Sequence, residues 1–500
     1  MDYTLADLVA MSARSRPDHI AAVELGDPDR TFTYRQLWQR VGDLADALRH
    51  TPAGPHGPMV ATLLPNSLDA LASYLACQVA GVGAVPINIR LADREISHIL
   101  TDSGAKVVLA AGECLETARR VAADGVEVVD AATVEPSGRF REFAADPSRG
   151  SRTAVVFYTS GTTGLPKGAA FHNDSWVVNT MRWGWQLGVR SDEAMLVPGP
   201  LFHMSYSSFA LATWLMGGQV RIMPSFSAER ACDEFADSAT FAFLVPSMTL
   251  MLLEEWKRRG RKPLTAMRSM MTSGAAVSPD LLAEAFEMFP NAEIQEVYGW
   301  TEAGFATREA KRPDTVASGT VGHATVGSDV AVFDEAGNPC GPGERGEIAV
   351  RTLLCSAGYL NPAAVGAATR RGEWVLSGDI GYFTEDGRLR VVDRKHGMII
   401  SGGENVYAAE VEQVVTRHPA VRECVVIGQP DERWGEAIVA VAVLEPGAAL
   451  DSEELRAFCK QHLADYKAPR RLVAVDELPR NSMGKLQRFL VRDMVVGSRE

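Results

Sequence analysis

The residues best equipped for chemistry in this 500-residue chain stand together in the run YTSGTTGLPKG, Tyr158 to Gly168. Thr159, Ser160, Thr162 and Thr163 supply hydroxyl donors, Gly161, Gly164 and Gly168 supply backbone freedom, and Lys167 supplies a cation. Glycine permits close backbone approach and positive φ, so successive N–H groups can converge on an anion. The β-branched and aromatic run Thr153 to Tyr158 just before it reads as a buried strand. Together these residues read as a polyphosphate clamp. It is not a Walker A loop, in which Gly-Lys precedes Ser or Thr; four residues after Gly161 stands Leu165, then Pro166, Lys167 and Gly168. The plainer alternative is a polar surface turn.

Further along, YGWTE (Tyr298 to Glu302) follows an apolar strand pattern, at the strand end where α/β folds place ligands. There Tyr298 could stack on a purine, Thr301 reach a phosphate, and Glu302 hold a Mg²⁺ bridging phosphates. The alternative is a strand-end aromatic followed by an exposed acid. Ser377-Gly378-Asp379 and Glu385-Asp386-Gly387 read as acidic turns, and a carboxylate can accept from two hydroxyls at once. Val391 to Glu412 contains Gly402-Gly403-Glu404-Asn405, which also reads as a glycine hairpin, and Pro479 to Arg488 carries Lys485 in a turn. By itself an exposed loop lysine is solvated.

YTSGTTGLPKG resembles the phosphate-loop signature of the adenylate-forming superfamily: acyl-CoA synthetases, luciferases and the adenylation domains of peptide synthetases. The other runs follow in that family's order over nearly the whole chain. The resemblance implies that Thr159, Ser160, Gly161, Thr162, Thr163 and Gly164, with Gly274, Ala275, Tyr298, Gly299 and Thr301, bind the nucleotide, assisted by Lys167. It implies that Asp379 accepts from both ribose hydroxyls, that Arg394 contacts the ribose, and that Glu302 holds the metal. Lys485 matches the lysine that reaches the carboxylate and phosphate oxygens as the adenylate forms. Gly402, Gly403 and Glu404 match the pantetheine tunnel, and His396 the hinge.

Gly199 to His203 resembles the segment that opens the acyl pocket, which is assigned Phe202, His203, Tyr206, Met248 and Trp300, with His203 also a catalytic candidate. Amino-acid-activating domains carry Asp at the position of His203, so an amino-acid substrate is not expected. Tyr206 stands where relatives keep a small residue, and Trp183, Trp185 and Phe209 suggest apolar surroundings. Two departures are His396, where Lys or Asp is usual, and Ala408 in place of the usual Pro after Tyr407.

The elements that must position these groups alternate as in a doubly wound α/β protein. Strands are expected at Met59–Leu64, Ala84–Ile89 and Lys106–Ala110, with helices at Thr33–His50, Ser67–Val79 and Asp93–Leu100. Residues 111–150 read as an unpatterned excursion. A second α/β layer spans the Trp-rich helix 176–186 to the strand 293–297, and short β segments after Gly319 read as a small β-barrel-like piece. The last hundred residues read as a mobile α+β lid. The expected domains are 1–394, a hinge at 395–396, and 397–500.

Five hundred residues exceed one core. A net charge of −13 disfavours nucleic acid and anionic membranes as partners, and no run approaches a membrane span. Seven scattered cysteines suit reduced thiols in the cytoplasm. The chain is therefore expected to be an α/β acid–thiol ligase using ATP, Mg²⁺ and CoA on a carboxylic acid, with a homo-oligomer possible. Loading of a carrier protein, luciferase-type oxygenation and an inactive nucleotide-binding scaffold are the alternatives.

Overall fold

The computed structural model describes residues 3–136, 150–159, 166–274, 277–352, 354–361, 370–394, 398–401, 404–431, 434–463, 465–480 and 486–496. It forms two compact units, 1–329 with 350–375 and 330–349 with 376–500.

In the first unit, the strands Ile20–Glu24, Gln219–Ile222, Ala194–Val197, Phe241–Phe243, Ser269–Thr272 and Glu293–Trp300 lie side by side and parallel, in that order. Antiparallel strands close both ends, Arg30–Thr33 at one and Gly304–Lys311 at the other. Strands covered on both faces are buried along their whole length, and here Ala194–Val197 and Phe241–Phe243 are short apolar runs buried throughout, as is Ser269–Thr272 with two methionines at its centre. A second sheet sets Thr153–Thr159, Gly83–Pro86, Gly57–Leu63 and Val107–Ala110 parallel, with Lys167–His172 antiparallel beside Thr153–Thr159. The helix Tyr34–Leu48 begins as its sequence implies: the Gln36 N–H donates to Thr33 Oγ1 (3.3 Å) and the Thr33 N–H to Gln36 Oε1 (2.8 Å).

Two expectations need correction. Residues 111–136 are not unpatterned: the helix Cys114–Val121 buries Cys114, Ala118 and Val121, and Glu127–Asp130 pairs parallel with Val107–Ala110. Its small apolar residues at i, i+4 and i+7 hid the helix among alanines. Ser377-Gly378-Asp379 is not a turn but lies inside the strand Trp374–Phe383, where Asp379 pairs with Arg394 of Leu389–Arg394. The turn of that hairpin is the other acidic one, where the Gly387 N–H donates to Thr384 O.

In the second unit, Gly435–Leu444 pairs with Val421–Asp431 and with Arg471–Ala474. The side chains of Ile438, Ala440 and Ala442 pack under the helices Ala408–Val415 and Ser452–Lys460, while Val439, Val441 and Val443 pack against Val491 and Val495 of Arg488–Val496. Alternate residues of a strand face opposite ways, so a strand covered on both sides must read apolar without interruption. Met398–Ser401 and Glu404–Tyr407 form an antiparallel hairpin, and the helix Ala408–Val415 starts directly after it despite lacking proline.

Candidate active site

The strands on either side of the clamp sequence form an antiparallel ladder whose last described rung pairs Thr159 with Lys167. Three latches hold its stems. Tyr158 Oη donates to Asp102 Oδ2 (2.7 Å), and Asn361 Nδ2 donates to Asp102 Oδ1 (2.5 Å). Burial and the neighbouring Asp102 carboxylate both push the Tyr158 phenol well above its usual range, so it stays a donor. On the returning strand, His98 Nε2 lies 3.0 Å from Pro166 O. The sequence assigned none of these latches. Ser160, Gly161, Thr162, Thr163 and Gly164 lie outside the described residues, as does Ala275 beside Gly274.

Glu302 meets this ladder from the other sheet. The strand Glu293–Trp300 runs through Tyr298-Gly299-Trp300, further than expected, and a tight turn leads into Gly304–Lys311. The crossing is so close that a Cβ on Gly299 would lie 2.0 Å from Gly304 O. Beyond Thr301, Glu302 Oε1 accepts from Tyr359 Oη and from Thr159 Oγ1 (3.4 Å), and the Glu302 carbonyl accepts from the Ser356 N–H (2.7 Å). The expected nucleotide and metal residues Thr159 and Glu302 are thus in contact, and Lys167 stands opposite Thr159 on the same ladder rung. Tyr359 was missed because nothing in SAGYL signals chemistry. It reaches the site through edge pairing of Gly358–Tyr359 with Ala169 and Ala170. The Trp300 indole N–H is buried without a hydrogen-bond partner among the described residues. A carboxylate flanked by hydroxyls is a hard oxygen donor set, which suits Mg²⁺ sharing its remaining positions with water and phosphates. Among the described residues, no cluster of three or more His, Cys, Asp or Glu side chains forms a separate metal cage.

On the acyl side, the segment Gly199 to Leu201 is fixed from outside. Asn66 Nδ2 donates to Gly199 O (2.8 Å) and Met223 O (3.1 Å), Asn66 Oδ1 accepts from the Leu201 N–H (2.9 Å), and Tyr74 Oη donates to Leu201 O (2.7 Å). His203 then caps the helix Met204–Leu215, its Nδ1 accepting from the Ser205 N–H (3.2 Å); a neutral ring so bonded carries its proton on Nε2. Phe202 and His203 are half-buried.

Tyr206 is 1% exposed and lies on Gly199, where a Cβ would come within 2.0 Å of its ring. Its hydroxyl has Met248 Sδ at 3.5 Å, and burial raises its pKa. Behind it Phe243, Phe209, Phe305 and Trp183 continue as neighbouring rings 4.6–6.5 Å apart. Trp183 and Phe209 belong to this packed cluster, but Trp185 does not: two residues further along the same helix, it is 69% exposed. Beside Trp183, Arg182 is buried without a carboxylate partner among the described residues. Its Nη atoms donate to Thr325, Val326, Ser328, Asn179 and Phe305, and desolvation lowers its pKa to about 10.

In the second unit, Asp379 is buried and opposite Arg394 in register. Its N–H donates to Ser377 Oγ at 2.9 Å. Glu404 opens the second strand of its hairpin, while Gly402, Gly403, His396 and Lys485 lie outside the described residues.

Residues 9–360 match the family described as AMP-binding enzyme, and residues 410–485 match the AMP-binding enzyme C-terminal domain. A feruloyl-CoA synthase of Amycolatopsis sp is 35% identical over 96% of this chain and 96% of its own. The fatty acid–[acyl-carrier-protein] ligase ScoC of Streptomyces coeruleorubidus is 32% identical over 99% of this chain and 97% of its own. The o-succinylbenzoate coenzyme A synthetase MenE of Bacillus subtilis, solved with ATP and magnesium ion, superposes with a TM-score of 0.85 at 29% identity, covering 98% of this chain and 99% of that one. With this match running through both domains, the chain belongs to the AMP-binding enzyme family, among its AMP-forming acid–thiol ligases.

Proposed function

We propose that this ligase activates a monocarboxylic acid of modest size, aromatic or short-to-medium aliphatic, and passes the acyl group to coenzyme A. The observation that carries the substrate class is the aromatic wall behind the acyl segment. Tyr206 is wedged against Gly199, and Phe243, Phe209, Phe305 and Trp183 back it in series, which leaves little depth for a long chain. Arg182 lies over the Trp183 ring of that wall, 4.8 Å from its centroid, but its Nη donors are committed to protein acceptors, which disfavours a second carboxylate. The likeness to a feruloyl-CoA synthase supports an aromatic acid.

In the first step a carboxylate oxygen bonds to the α-phosphorus of ATP, and the bond to the pyrophosphate oxygen breaks. Mg²⁺, when bound, neutralises phosphate charge. The clamp residues 159–164 and Lys167 hold the leaving pyrophosphate, Thr159 and Glu302 face the phosphates from two sheets, and Lys485 orients the carboxylate. Tyr298 stacks on the adenine, and Asp379 and Arg394 hold the ribose. The lid, residues 397–500, then turns about 395–396 and withdraws Lys485. The CoA thiol, led in beside Gly402, Gly403 and Glu404, forms the carbon–sulfur bond, and AMP departs with the carboxyl oxygen.

The test is CoA-dependent AMP release across a panel of aromatic, short, medium and long aliphatic acids and dicarboxylates, read as kcat/KM. Preference for a long-chain acid or a dicarboxylate overturns the substrate class. A second reading, transfer to a carrier-protein phosphopantetheine, is favoured by the likeness to ScoC. Replacing CoA by a phosphopantetheinylated carrier protein in the same assay decides between them.

A further inference from the structure

We infer that Tyr359 is a positioning residue for magnesium: its hydroxyl engages Glu302 Oε1 so that Oε2 is presented to the metal. This rests on the reading of Glu302 as the metal carboxylate. Among the described residues, the hydrogen bonds to the Glu302 side chain, from Tyr359 Oη and Thr159 Oγ1, land on Oε1. A carboxylate on a long, freely rotating side chain loses rotamer freedom when it captures an ion, and a donor that fixes it beforehand removes that cost.

Tyr359 is itself held. Gly358 and Tyr359 pair with Ala170 and Ala169, the Ala357 N–H donates to Ala170 O (2.8 Å), and the Leu360 N–H donates to Gly168 O (2.9 Å). Asn361 Nδ2 then ties the segment to Asp102, the acceptor of Tyr158. The phenol therefore sits on a short strand paired to the one that carries Lys167, while the carboxylate it grips lies two residues past the end of a strand of the other sheet. One hydroxyl thus sets the metal carboxylate in register with the phosphate ladder.

The experiment compares wild type, Tyr359→Phe and Glu302→Gln by calorimetric binding of ATP, without acid or CoA, in excess Mg²⁺ and in excess chelator. Phenylalanine keeps the ring and removes only the donor. Losing a hydrogen bond to a charged group weakens binding by roughly tenfold to a hundredfold. Tyr359→Phe is expected to weaken Mg·ATP binding by at least tenfold, leave metal-free ATP binding unchanged, and raise the Mg²⁺ concentration for half-maximal pyrophosphate exchange. Circular dichroism and melting temperature confirm the fold of each variant. Equal weakening of Mg·ATP and free ATP, or no change in either, overturns the role given to Tyr359. If Glu302→Gln also leaves Mg·ATP binding unchanged, the assignment of Glu302 falls as well; if only Glu302→Gln loses it, the failure is confined to Tyr359.

Discussion

Replacing Tyr206 by alanine tests the proposed depth of the acyl pocket. The side chain is 1% exposed, lies on Gly199 and meets the Phe243 ring edge-on at 5.1 Å. Emptying a fully buried aromatic site costs about 3–5 kcal/mol of stability, a large part of the 5–15 kcal/mol typical of a domain, so assays belong well below the variant's melting temperature. The vacated space should favour longer acids. If it admits about three further methylenes at roughly 0.8 kcal/mol each, the gain is about 2.4 kcal/mol, or roughly a 60-fold shift in relative kcat/KM toward the longer acid. Tyr206→Phe separates volume from polarity. Among the described residues the hydroxyl's hydrogen-bond partner is the soft Met248 sulfur, so its loss should change stability by under about 1 kcal/mol and leave the length profile alone. The assay is kcat/KM for CoA-dependent AMP release over a straight-chain series and a set of aryl acids. An unchanged length profile in a folded Tyr206→Ala enzyme refutes the reasoning, as does a wild type that already prefers long chains.

Three further outcomes are expected. Lys485→Ala should slow adenylate formation by roughly a hundredfold or more, while thioester formation from supplied acyl-AMP survives; equal losses in both half-reactions would mark the lysine as structural. His396→Pro fixes φ and removes an N–H, so pyrophosphate exchange should persist while CoA ligation is lost, and full overall turnover would place the hinge elsewhere. Lys311, with its side chain 1% exposed, donates to Glu296 (2.9 Å), Glu309 (2.5 Å) and Thr320 O (2.6 Å), so Lys311→Met strands two buried carboxylates at a cost of about 3–5 kcal/mol. Burial already raises the Glu296 pKa, and a folded pKa above the unfolded one means stability lost as pH rises; the deficit should therefore be larger at pH 8 than near the ordinary Glu value of 4.5, measured by denaturant unfolding at each pH.

The clamp, YGWTE and the lid motif stood out as candidates in the sequence because their residues are local: glycines, hydroxyls and a lysine within eleven residues mark a candidate anion site before any fold is known. The core strands were legible for a similar reason, since a strand covered on both faces must be continuously apolar, as Ile438–Leu444 is. Local pattern failed where small residues blur the period, as in Cys114–Val121, and where a glycine sits inside a strand, as at Gly378. It also could not separate Trp183 from Trp185, which differ only in which side of one helix meets the core. Tyr359, Asn66 and Asp102 lay beyond it for a deeper reason. Each acts on a group far away in sequence, at separations of 57 residues for Tyr359 and Glu302, 133 for Asn66 and Gly199, and 56 for Asp102 and Tyr158. A hydrogen bond needs its partners within about 3 Å, and only the pairing of strands and sheets brings such distant residues that close.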